Sequence, residues 1–250
     1  MSFPFRPIRL IKRFLNLNAN QSEFPADFEP FHKEIIEQVK PFTMTSNERL
    51  YCLIEAVKYI VANNIPGDLV ECGVWKGGSM MAAAITLQKL GITDRKLYLF
   101  DTYAGMTEPT EADESYQGEG AATLLKQDAN QKEDSVVWAY SSLEMVKKNI
   151  YSTGYPTENI HFIEGDVLQT IPSANPGNIA LLRLDTDWYE STKHEMVHLY
   201  PLLVSKGVLI IDDYGFWRGS RKAVDEYIGE KNPEILLNRI DDTGRIAIKN

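Results

Sequence analysis

Five short apolar runs, each with an acid at or near its end, recur along the chain: "DLVECG" (68–73), "KLYLFD" (96–101), "NIHFIEGD" (159–166), "NIALLRLD" (178–185) and "GVLIIDD" (207–213). Stretches with helical spacing separate them, among them "TSNERLYCLIEAVKYIVANN", which opens on Thr45 or Ser46 as N-cap, and "GGSMMAAAITLQKLG", closed by Gly91. Strands spaced this way pair through crossovers rather than hairpins. The expected fold is therefore α/β, a mostly parallel sheet with helices on both faces. "ILLNRI" (235–240) and "RIAIKN" (245–250), joined by the turn signal "DDTG", add a C-terminal antiparallel hairpin and bring the count to seven strands. At 250 residues and 44% hydrophobic, the chain can bury one full core. We read 45–250 as a single domain and 1–44 as an arm and lead-in.

In such a sheet, ligands gather beyond the carboxyl ends of the strands. Glu71, Asp101, Asp166, Asp185 and Asp212 all fall at or just past such ends. In "VECGVWKGGS" the glycines at 73, 77 and 78 allow close backbone approach, as they also would in a plain strand–turn–helix. Glu71 would repel pyrophosphate but suits the ammonium of an amino-acid-bearing ligand. Asp101 is placed to accept both hydroxyls of a ribose, and Asp166 an exocyclic amine of adenine; either could instead cap a helix. Together they suit a cationic nucleoside without phosphates, such as S-adenosylmethionine.

"RLDTDWYEST" and "LIIDDYG" place more acid at the fourth and fifth strand ends. If those strands are neighbours, Asp185, Asp212 and Asp213 converge. Two like charges about 5 Å apart cost roughly 3 kcal/mol even at an effective dielectric near 20. A hard cation, Mg²⁺ or Mn²⁺, would relieve that cost. Asp187 would reach the same space as a general base, and Arg183 pairs with a site acid. Trp188 and Tyr189 line an acceptor pocket or join the core.

The net charge of −9 argues against nucleic acid, and no run reaches the length of a membrane span. Two cysteines, Cys52 and Cys72, do not make a disulfide framework, so a reducing cytoplasm is expected. "FRPIRLIKRFLNL" is basic and amphipathic; it would pack on the domain, on a second protomer or on a membrane surface. The polar, Gly-containing stretch at about 104–135 is too long for an ordinary connection and reads as a lid, too acidic to pack as core. "HEMVH" (194–198) spells a zinc-protease signature, but no His follows His198 as a third ligand.

Strand–helix alternation with a terminal hairpin is the element order of a Rossmann-like class I methyltransferase. "DLVECGVWKGGS", "LYLFDTYAGM", "LRLDTDWYEST" and "GVLIIDDYG" together resemble the macrocin O-methyltransferase (TylF-type) family, from about Thr45 to Arg221. The resemblance implies an S-adenosylmethionine-dependent O-methyltransferase of antibiotic pathways, using a divalent metal and methylating a sugar hydroxyl. It puts the metal on Asp185, Asp212 and Asp213 and the base on Asp187. The cofactor set expected at the strand ends and the turns beyond them is Glu71, Gly73, Gly77, Ser79, Asp101, Thr102, Asp166 and Asp185. "EGDVLQTIP" departs from the family pattern after the third strand. A phenolic or peptide hydroxyl as acceptor, and a nucleoside- and metal-binding module without chemistry, stay open on sequence alone.

Overall fold

The computed structural model describes residues 24–133, 135–171 and 173–250. The basic segment of the arm, with the assembly role expected of it, lies outside the described residues. The lead-in holds a helix that the sequence reading does not assign, α1 (Pro30–Val39), entered through a proline whose missing N–H is no loss there. Helix α2 (Asn47–Ala62) opens at Ser46, whose hydroxyl accepts the Arg49 N–H at 3.1 Å. Its buried Leu50, Leu53, Ile54, Val57 and Ile60 repeat at helical spacing on one face.

The rest follows the expected alternation: β1 (Asp68–Cys72), α3 (Gly78–Lys89), β2 (Leu97–Asp101), α4 (Ala121–Gln127), α5 (Leu143–Tyr151) and β3 (Ile160–Glu164). Then come α6 (Val167–Thr170), β4 (Ile179–Leu184), α7 (Tyr189–His198), β5 (Leu203–Ile211), α8 (Arg218–Lys231), β6 (Asn238–Arg239) and β7 (Arg245–Ile248). The sheet has seven strands in the order β3-β2-β1-β4-β5-β7-β6. β1 to β5 are parallel, and β7 runs antiparallel to both β5 and β6. Strand order reverses between β1 and β4, which puts the crevice there. β6 is shorter than the 235–240 read from sequence. It pairs with β7 alone; Ile235 and Leu237 pack at the margin of the α7–α8 layer outside the ladder, while Leu236 between them is 75% exposed.

The strands divide their side chains between two layers with the two-residue period of a pleated strand. Leu69, Leu99, Leu181 and Ile210 face α1, α2 and α3, whereas Val70, Phe100, Leu182, Leu209 and Ile211 face α7 and α8. The lid-like segment is not the purely polar element its composition suggests. Its few apolar residues share one face, and Ala121, Leu124 and Leu125 of α4 are buried with Trp188 and Trp217 in a small third cluster. No helix among the described residues is long and apolar enough to cross a membrane.

Candidate active site

The parallel ladder continues one residue past the strands. Asp185 N–H donates to the Cys72 carbonyl at 2.8 Å, and Asp212 N–H to the Leu184 carbonyl at 2.9 Å. Gly73, Asp185 and Asp212 therefore stand abreast at the reversal. Gly73 has φ +83°, and a Cβ there would strike the Asp185 carbonyl, so only glycine lets β1 and β4 stay this close.

On the α2 face, Glu71 lies directly opposite Arg183, and the pleat carries Asp212 to that same side. Arg183, 3% exposed, donates to Glu71 Oε1 at 2.8 Å, Asp185 Oδ2 at 2.7 Å, Asp212 Oδ1 at 2.6 Å and Thr45 Oγ1 at 3.1 Å. Burial opposes its charge, but Asp185 and Glu71 outweigh burial and raise its pKa. Arg49, from the first turn of α2, takes the second oxygen of Asp212 and also holds Asp241 Oδ2 at 3.0 Å. The expected pairing of Arg183 is thus threefold. Removing a partner from so buried a network would cost about 3–5 kcal/mol, because the remaining charges would be stranded.

Asp212 is where the geometry departs from the sequence expectation. Both its oxygens are held by arginines, and it does not join the acid cluster. The carboxylates that converge are Asp185, Asp187 and Asp213, with oxygens within 4.8 Å of one another. Arg183 and Arg49 take both oxygens of Asp212, whereas Arg183 takes only Oδ2 of Asp185, which stays in the cluster. Asp187 reaches the cluster from a left-handed backbone, φ +69°, two residues past Asp185. Burial and then the neighbouring acids drive Asp213 well above the usual carboxylate range. Asp187 rises for the same reasons, against the hydrogen bond it shares with Asp213. Neither has a lysine, arginine or histidine in salt-bridge contact among the described residues. Carboxylate oxygens with no cation are the donor set of a hard divalent metal.

A cavity runs from this cluster across the reversal. Gly73, Ser79, Asp101, Thr102, Asp166 and Asp185 of the expected cofactor set line it. Glu71 and Gly77 do not. Glu71 lies behind the wall under Arg183, where burial pushes its carboxyl to about 8 and leaves Oε2 without a partner. Gly77 supplies the left-handed entry to α3 instead. Asp101 faces the cavity but also closes its own loops. Its oxygens accept the N–H groups of Val74 (2.6 Å), Trp75 (3.1 Å) and Tyr103 (2.7 Å). Asp166 caps α6 through the Leu168 N–H at 2.9 Å. Val74, Phe100 and Val167 make the adjoining walls apolar, as a purine ring requires.

The "HEMVH" residues do not make a second metal site. His194 and His198 lie with ring centroids 4.3 Å apart and planes tilted by 49°, His194 Nε2 meets the Ile171 carbonyl, and Glu195 points the other way into the core. There its Oε1 accepts the Thr186 hydroxyl at 2.9 Å, beneath the turn that carries Asp185 and Asp187. Glu195, Asp113 and Arg49 are residues that sequence reasoning missed around the site. Only the strand alternation that puts Arg183 and Asp212 on one face gave a usable signal. Trp188 is core, 2% exposed, whereas Met106 and Trp217 line the cavity.

A sheet of this order, with a crevice at the β1/β4 reversal, defines a Rossmann-like class I methyltransferase. The macrocin-O-methyltransferase (TylF) family model matches residues 16–247, and the chain belongs to that family of S-adenosylmethionine-dependent enzymes. Over 202 residues, 81% of this chain, it is 33% identical to the demethyldecarbamoylnovobiocin O-methyltransferase of Streptomyces niveus, covering 73% of that protein. It is 35% identical, with the same coverages, to the 8-demethyl-8-(2,3-dimethoxy-alpha-L-rhamnosyl)-tetracenomycin-C 4'-O-methyltransferase of Streptomyces olivaceus. Among solved structures, the O-methyltransferase NovP superposes with a TM-score of 0.72 at 31% identity, covering 84% of this chain and 82% of that one.

Proposed function

We propose that the protein methylates a sugar hydroxyl of a glycosylated secondary metabolite, with a divalent cation, Mg²⁺ or Mn²⁺, held by Asp185, Asp187 and Asp213. The observation that carries this reading is the convergence of those three carboxylates beside the cavity while the arginines neutralise Asp212. The acceptor class is supported by the relative named for a position on a rhamnosyl tetracenomycin.

S-Adenosylmethionine supplies an electrophilic methyl, and a bound cation lowers the pKa of a hydroxyl held against the acids. The chain's own part is placement and proton transfer. Gly73, Ser79, Asp101, Thr102 and Asp166 hold the nucleoside across the reversal. Asp187, hydrogen-bonded to Asp213 within the cluster, takes the hydroxyl proton. Arg183 and Arg49 keep Asp212 from adding a further unpaired charge beside the acceptor. The wall of Met106, Leu124, Phe216 and Trp217 covers the apolar part of the acceptor and excludes water. Holding nucleophile and methyl in line contributes about 7–11 kcal/mol of the barrier reduction in reactions of this kind.

The test is calorimetric titration of S-adenosylhomocysteine, then mass spectrometry of methyl transfer to a panel of rhamnosylated polyketides with Mg²⁺ or EDTA. Micromolar binding and a mass gain that EDTA abolishes are expected. Transfer that survives complete metal removal would overturn the cation's role, and binding without transfer to any glycosylated acceptor would overturn the acceptor class.

A further inference from the structure

Helix α7 begins immediately after the Asp185–Asp187 turn, and its N-cap, Trp188, has no oxygen with which to satisfy the first N–H groups. The missing acceptor comes from 76 residues earlier. Asp113, in the segment between β2 and α4, is 1% exposed and has no cationic partner among the described residues. Its Oδ1 accepts the Tyr189 N–H at 2.7 Å, and Oδ2 accepts the N–H and hydroxyl of Thr110 at 2.7 and 2.9 Å. Helix α8 leaves room for it. A Cβ on Gly219 would collide with the Asp113 carboxylate.

The neighbours of Asp113 grip the other acid-bearing loop. Glu114 carbonyl accepts the Arg218 N–H at 2.8 Å, Ser115 bridges Trp217, and Tyr116 N–H reaches the Phe216 carbonyl at 2.8 Å. Phe216 and Trp217 in turn donate to the Asp213 carbonyl at 2.9 and 3.0 Å. Residues 113–116 therefore join the turn bearing Asp187 to the loop bearing Asp213 through the backbone, beside the side-chain hydrogen bonds that Asp187 makes to Asp213 and Trp217.

We propose that Asp113 is a positioning residue for the acid cluster: by accepting the Tyr189 N–H it fixes the left-handed Asp187 turn against the Asp213 loop. The inference rests on reading that cluster as a cation site. Outer residues that orient metal ligands change affinity by about 10–100-fold when lost.

The experiment measures Mn²⁺ uptake by the full chain, from the electron paramagnetic resonance signal of free Mn²⁺, alongside calorimetry of S-adenosylhomocysteine. Asp113→Ala is expected to weaken Mn²⁺ binding about tenfold while leaving S-adenosylhomocysteine affinity unchanged. Asp113→Asn, which keeps an oxygen for Tyr189, should stay within about threefold of wild type, and Gly219→Ala, which displaces the carboxylate, should resemble Asp113→Ala. If Asp113→Ala does not fold, Thr110→Val removes one of the three bonds and should weaken Mn²⁺ about two- to threefold. Unchanged Mn²⁺ uptake in these variants overturns the proposal alone, as does a parallel loss of both ligands. Wild-type protein that takes up no Mn²⁺ overturns the cation reading, and the proposal with it.

Discussion

Glu195 illustrates how a single residue can mislead by motif and inform by position. It is the Glu of "HEMVH", yet it is fully buried beneath the Asp185–Asp187 turn, with Oε2 unpartnered. Burial, the largest effect, pushes its carboxyl to about 8, and the charge on Asp185 adds to the rise. An unfolded-chain glutamate titrates near 4.5. Between that value and about 8 the folded protein binds more protons than the unfolded one, so stability falls as pH rises through this window and levels off above it. Glu195→Gln should remove up to about 1.4 kcal/mol per pH unit of that slope, read from urea unfolding at pH 5, 6, 7 and 8. An identical slope in the variant would mean that Glu195 is ionised in the fold. Nothing in the spacing of "HEMVH" reveals which way Glu195 points; that is set by the packing of α7 on β4 and β5.

At the scale of elements, the N-terminus of α2 and the C-terminal hairpin depend on each other. Ser46 caps α2 through the Arg49 N–H and donates to Asp241 Oδ2 at 2.6 Å, while Arg49 reaches both Asp241 and Asp212. Arg49 and Ser46 overcome the effect of burial on Asp241 and hold its pKa low. Ser46→Ala should therefore cost about 1–2 kcal/mol, the upper part of the range for an N-cap, since it also removes one of the two bonds that hold Asp241 Oδ2 and leaves that oxygen to Arg49. A loss below about 0.5 kcal/mol in chemical denaturation would show that the hairpin contact contributes nothing. The elements themselves were largely legible. Short apolar runs carrying acids near their ends place β1 to β5, and capped stretches of helical spacing place α2 and α3. Helix α1 and α4 were not, because α1 sits in a short stretch between prolines and α4 draws its apolar face from a segment whose average composition is polar. Edge strand β6 is shorter than its apolar run, since Ile235, Leu237 and Ile240 pack at the core margin while only Asn238 and Arg239 join the ladder.

For the whole molecule, the sheet order is what turns a one-dimensional pattern of acids into a site. The convergence read from sequence requires β4 beside β5, and that pairing holds; β1 beside β4 adds Gly73 and Glu71 to the same edge. What spacing could not supply was direction. Counting acids at strand ends gave Asp185, Asp212 and Asp213 as the convergent set. Two arginines separate them: both oxygens of Asp212 are taken, only one of Asp185, and Asp187 is brought to the cluster by a left-handed turn. The long segment after β2 has a part in this at a distance, tying the two acid-bearing loops together through Asp113 and its neighbours.

The measurement that tests this account most directly is Mn²⁺ binding to wild type, Asp187→Asn, Asp212→Asn and Asp213→Asn, each checked for an intact fold by circular dichroism. One site in wild type, lost in Asp187→Asn and Asp213→Asn and kept in Asp212→Asn, is the predicted pattern. Loss in Asp212→Asn with retention in Asp187→Asn would contradict it and return the cation to Asp185, Asp212 and Asp213.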